Sequence, residues 1–163
     1  GRYWDTVADT IGLIAVMWAF GKVLEWNIAL TSLLILSILL QYSFFNHFSI
    51  LVRVLGSGDS TSRIDERVCP VAQPWESQTM VNIFHTIYVL FFSWQDSLVS
   101  KISGKGSKNL RFELTVSSFL GYGMQSIVIF LLALTQNLDS LPHLVLGVNV
   151  FLVALVLLRS RLG

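Results

Sequence analysis

Two histidines set among apolar residues carry the clearest potential for chemistry in this sequence. His47 stands nine residues before Gly56, and His85 stands eight after Ser77. At about 1.5 Å of rise per helical residue, both lie roughly 12–14 Å from one shared boundary. Two imidazoles at one depth on neighbouring helices can serve as axial ligands of a b-type haem. Phe44, Phe45, Phe48 and Phe84 would wall such a group, and Gly121 or Gly123 would let a porphyrin approach. The plainer alternative has each histidine hydrogen-bonded to a nearby Ser, Asn or carbonyl, stiffening a helix bundle.

A second set of residues suggests a polar path. Asp9 and Arg53 belong near one surface and Asp96 near the other, with Asn46, Asn82, Gln125 and Asn149 between them. Such a face can line a conduit for ions, protons or a small solute. The same residues also fit a structural role, because charged ends snorkel to water and interior amides join helices. The sequence has no loop resembling a selectivity filter, no regular arginine series and no broken-helix pair.

Enzymatic chemistry finds less support. No Ser/His or Asp/Asp pair stands in a recognisable frame, and no metal-spaced cluster is present. Cys69 is the single cysteine, which excludes an internal disulfide and a cysteine-based metal cluster.

The elements that must position these residues are membrane helices. Hydrophobic residues make up 53% of the chain and charged ones 13%, about half the share in soluble domains. The net charge of +1 gives no basic field for nucleic acid. The expected fold is an all-α integral membrane protein, a single domain of five transmembrane helices at about 6–24, 28–55, 79–100, 112–136 and 141–158. The run from Ile28 to Leu55 exceeds the roughly 20 residues a span needs.

Within these spans the spacing assigns faces. Asp5, Asp9, Gly12, Val16 and Ala19 form a polar-to-small seam suited to packing on another helix. Tyr42, Asn46, Ser49 and Arg53 share a face of the second span. Asn82, Thr86, Ser93, Asp96 and Ser100 share one of the third, and both are expected to turn inward. Leu33, Leu34 and Ile38 are expected to meet lipid. Ser117 and Gly121 form a small-x3-small pair for close helix approach. Pro70 and Pro74 make the 56–78 segment a packed, extended loop.

Five spans put the two ends of the chain on opposite sides. One side then holds Lys22, Lys101, Lys105, Lys108, Arg111, Arg159 and Arg161; the other holds Arg2, Arg53, Arg63 and Arg67. Seven basic residues against four give an N-terminus outside, a C-terminus inside and an outer 56–78 loop. Five helices and this length are similar to the translocator-protein family, but that family's Trp- and Pro-rich loop signatures are missing, so nothing carries over.

The expected function is a non-catalytic, multi-pass accessory, assembly or scaffold subunit of a larger membrane complex. A pore- or transport-forming subunit is the alternative, and a haem-binding redox anchor the third. Expected partners are bilayer lipid, some of it bound, and other membrane subunits or further copies of the chain, with no nucleic acid.

Overall fold

The computed structural model describes the backbone of residues 2–56, 68–103 and 110–162, and most of these residues are helical. The helices are α1 (Arg2–Val23), α2 (Ile28–Gly56), α3 (Gln78–Ser103), α4 (Leu110–Ser117), α5 (Tyr122–Leu134) and α6 (Leu141–Leu162). Short 3-10 turns at Ser118–Leu120 and Leu138–Ser140 follow α4 and α5. The Asp96 side chain, and those at the far end of α6, lie outside the described residues.

Two tight turns share a construction. After α1, the Trp26 N–H donates to the Gly21 carbonyl at 2.8 Å, and Glu25 takes a left-handed φ of 54°. After α5, the Asn137 N–H donates to the Leu132 carbonyl at 2.8 Å, and Gln136 takes a φ of 55°. Both are six-to-one closures of a helix C-terminus, a place glycine usually fills. Asn27 then caps α2 by accepting from the Leu30 N–H at 2.7 Å. Pro142 stands in the first turn of α6, where its missing N–H costs nothing.

Side-chain layers fix the helix directions. Near the tight turns, Met17 of α1 packs with Leu34 and Ile38 of α2 and with Leu141 and Val145 of α6, flanked by Ile129 and Leu132 of α5. Further along α2, Phe44 and Phe48 meet Leu120, Leu152 of α6 and Val99 of α3, flanked by Leu114 of α4. Residue numbers on α6 therefore rise with those on α2, and the two helices are parallel. Numbers on α4 and α5 fall as those on α2 rise, so that pair runs antiparallel to α2, as α1 does.

α3 keeps to one end of this bundle. His85 and Tyr88 set their rings against Tyr3, and Phe84 sets its ring against Trp4, both at the start of α1. Further on, Phe92 meets Tyr42, Gln95 bonds Ser43, and Val99 joins Phe44 and Phe48. From His85 to Val99 the helix advances about 21 Å. Its contacts nevertheless stay near the start of α1 and with α2 from its middle onward, where Leu39 packs with Tyr88 and Phe92 and Leu13 and Ile35 flank them.

Among the described residues, two helices are long and apolar enough to cross a membrane, at Tyr3–Val23 and Ile28–Ile50. A third crossing exists if Leu114–Leu120 and Tyr122–Leu134, bent by 46° at Gly121, count as one span. Among the described residues Leu138–Val153 forms a further apolar stretch, and α3 does not qualify. The bend breaks the single 112–136 span expected from the sequence. It supplies a broken helix at a stretch whose serines and glycines fit a small-residue packing face equally well.

Candidate functional site

The polar interior centres on Gln41, which is 2% exposed. Its amide nitrogen donates to the Asn149 side-chain oxygen at 2.8 Å and to the Val145 carbonyl at 3.0 Å. Its amide oxygen accepts from Gln125 Nε2 at 3.1 Å. One side chain thus ties α2 to both α5 and α6, and no ionisable group takes part in these bonds. The sequence presents Gln41 inside an apolar run, one residue before the Tyr42 face, so spacing alone gives it no prominence.

A second buried amide joins α2 to α3. Ser43 Oγ donates to Gln95 Oε1 at 2.9 Å, and Gln95 Nε2 donates back to the Phe91 carbonyl at 3.1 Å. Gln95 is 1% exposed. Buried amides satisfied in this way stiffen a bundle, whereas unsatisfied ones in lipid cost several kcal/mol, on the order of a lost hydrogen bond each.

α1 and α5 leave a groove of about 500 Å³ between them. Ala8, Asp9, Gly12, Leu13, Val16 and Phe20 form one wall; Tyr122, Gln125, Ser126, Ile129, Phe130 and Ala133 form the other. Of the α1 seam expected to pack on another helix, Asp9, Gly12 and Val16 stand in this wall, and Asp5 and Ala19 do not. Gly12 has nothing within 4 Å of where a Cβ would stand, and Asp5, Asp9, Val16 and Ala19 are exposed. At one end Tyr122 stacks on Tyr42, with centroids 3.9 Å apart, and its hydroxyl lies 3.5 Å from Thr10 Oγ1. Gln125 Oε1 is enclosed and has no hydrogen-bond partner among the described residues.

The residues singled out from the sequence scatter. His85 is buried with its ring edge-on to Tyr3 at 5.4 Å, while half-buried His47 sets its ring against Phe48 at 5.5 Å. Asn82 and Thr86 are exposed, so the third-span stripe does not turn inward there. The inward face of α3 is instead His85, Tyr88, Phe92, Gln95 and Val99. Arg53 is exposed at the end of α2, bonding Ser49 Oγ at 2.9 Å, and Asn46 is half-buried. Leu34 and Ile38 are 0% and 1% exposed, the reverse of lipid contact, because α6 covers them; Leu33 does face outward. The Ser117–Gly121 pair behaves as its spacing implies. A Cβ at Gly121 would lie 3.3 Å from the Phe45 ring, so a larger residue there would require that ring to give by a few tenths of an ångström.

Cys69 donates to Asn82 Oδ1 at 3.2 Å, and Gln78 holds the same oxygen at 2.8 Å. Gln78 Oε1 accepts from the Ala72 N–H at 2.8 Å, so the proline segment is tied onto the start of α3. Beside it the Gln73 N–H donates to Glu76 at 3.1 Å and holds that carboxyl below its usual range. Among the described residues no group of three or more His, Cys, Asp or Glu could hold a metal ion. No protein-family model, curated protein or solved structure matches this chain.

Proposed function

We propose that this chain is a multi-pass, non-catalytic membrane subunit that docks a transmembrane helix of a partner in the groove between α1 and α5. The observation that carries this reading is the open small-residue seam of α1. Small residues at four-residue spacing let two helix backbones approach closely in lipid. Here Ala8 and Gly12 offer that surface, and no part of the described chain fills the space at Gly12. The Gln41 bonds argue against a water-filled path through the bundle, because they consume the interior polar groups in helix-to-helix contacts. A transport subunit is the second reading, favoured by Asp9 and Gln125 lining one groove.

Four crossings fit the helix directions better than five. With α2 and α6 parallel and the α4–α5 pair antiparallel between them, α2 ends and α4 begins on the same side. Crossings by α1, α2, α4–α5 and α6 then leave both termini on that side as well. Ten of the eleven Lys and Arg residues fall there, and Lys22 alone falls on the other. Ten against one is a far stronger bias than the seven against four of a five-span path, and it orients both termini and Cys69 to the cytoplasmic side.

The topology is tested at Cys69. An impermeant thiol reagent is expected to leave intact cells unlabelled and to react once the inner face is opened. Labelling of intact cells would restore the outer loop. Docking is tested by gentle extraction and native mass measurement, where wild type is expected in a larger assembly and Gly12→Leu free of it. A stable monomer that conducts ions in liposomes would defeat the subunit reading.

A further inference from the structure

We propose that α3 is a membrane-surface helix that rests on the lipid interface at the end of the bundle rather than crossing it. The partner surface is the bilayer itself, and the inference rests on the four-span topology above.

The circumference of α3 divides into three sectors. At about 100° per residue, the buried sector holds His85, Tyr88, Phe92, Gln95 and Val99, which face α1 and α2. Roughly 100° around lies a polar sector in which Gln78, Asn82 and Thr86 are exposed. About 130° further lies an exposed apolar stripe of Met80, Ile83, Leu90, Phe91, Trp94 and Leu98. A helix crossing the bilayer beside a bundle meets protein on one face and lipid on the rest. It has no use for an exposed polar sector alongside a lipid-facing stripe. A helix lying where bundle, water and lipid meet needs all three sectors.

Chain length agrees. α2 ends and α4 begins on one side, so a crossing by α3 would need a second crossing within the connections. Residues 104–109 span at most about 24 Å fully extended, short of the roughly 30 Å hydrocarbon core. The segment before α3 is no better suited. Its residues 68–77 are non-helical and tied by Cys69 and Gln78 to the start of α3, and open backbone does not traverse lipid. Tyr3 and Trp4, the aromatics against which α3 packs, are of the type that gathers at the headgroup level.

The test is a depth scan by spin label on the full chain in phosphatidylcholine nanodiscs. Single cysteines replace Asn82, Ile83, Thr86, Leu90 and Trp94 in turn, in a Cys69→Ser background; all five positions are exposed, so folding should survive. Oxygen collisions are expected to exceed nickel-chelate collisions at 83, 90 and 94, with the order reversed at 82 and 86. The three apolar positions should report one common shallow depth. A depth that deepens to a mid-helix maximum, with position 86 dry, would overturn the surface helix and the four-span topology together. Stripe positions open to nickel chelate, or closed to both reagents, would overturn the surface helix alone. The Cys69 labelling result keeps these two failures distinct.

Discussion

Gly21 of α1 and Thr31 of α2 meet so closely that a Cβ on the glycine would stand 2.5 Å from the threonine hydroxyl. That hydroxyl is held in place by its own bond to the Asn27 carbonyl at 3.2 Å. Gly21→Val is therefore expected to pry the first hairpin apart, at a cost of about 1–3 kcal/mol for overpacking. Thermal unfolding in detergent measures the loss. Adding Thr31→Ala should recover part of it, and an unchanged midpoint in Gly21→Val alone would contradict the contact.

Gln41→Leu removes a donor to α6 and an acceptor for α5 in one step. The expected destabilisation is about 1–3 kcal/mol, since the half-buried amides of Asn149 and Gln125 lose this partner. Asn46→Leu, at a half-buried position, should cost less. Equal midpoints for the two variants would mean that the Gln41 bonds do not form in the membrane.

The two left-handed turn residues offer the opposite sign. Glu25 and Gln136 hold φ values of 54° and 55°, where a side chain costs about 1–2 kcal/mol that glycine does not. Gln136→Gly is expected to raise stability by up to roughly 1 kcal/mol, the gain being trimmed by the greater freedom of glycine in the unfolded chain. A lowered midpoint would show that the Gln136 side chain serves a contact of its own.

Glu76 supplies a dependence on pH. Its carboxyl sits below the usual range because its charged form accepts the Gln73 N–H. A lowered folded pKa gives order that is complete above the ordinary carboxylate pKa and is lost as pH falls through the lowered value. Exchange of the Gln73 amide, compared with neighbouring amides, should accelerate in acid. Glu76→Gln should flatten that response, and acid acceleration surviving in the variant would assign the effect elsewhere.

His85 is expected to act through packing. His85→Ala should lower the unfolding midpoint, because its buried ring lies edge-on to Tyr3. An absorption spectrum of the purified protein, taken beside His47→Ala and His85→Ala, decides the redox alternative. A Soret band lost in both variants would reinstate a haem held between them.

The apolar runs marked helices well, since length and composition determine where a chain can span lipid. They said less about which face of a helix meets protein. On α3 both the buried and the outward sectors are apolar, so the stripe through Asn82 and Thr86 was the visible signal, and it points to neither. Leu34 and Ile38 looked like lipid residues for the same reason, until the parallel α6 covered them. Helix direction was invisible as well. It depends on which residues far apart in the chain share a layer, as Phe48 and Leu152 do, and no local spacing encodes that pairing. The break at Gly121 escaped because the small residues around it, Ser117, Ser118 and Gly123, fit a packing face of an unbroken helix equally well. The small-x3-small pair was legible because a close backbone approach restricts residue size directly.

The bend at Gly121 also bears on where such a protein would be at home. A straight helix from Leu114 to Leu134 would reach about 31 Å, close to an average hydrocarbon core. Tilting its first seven residues by 46° shortens that reach by about 3 Å. Bilayers differ in thickness by only a few ångströms between compartments, and a span of reduced reach sits with less strain in the thinner ones. Straightening the kink would thus shift the chain's preference towards thicker, sterol-rich membranes.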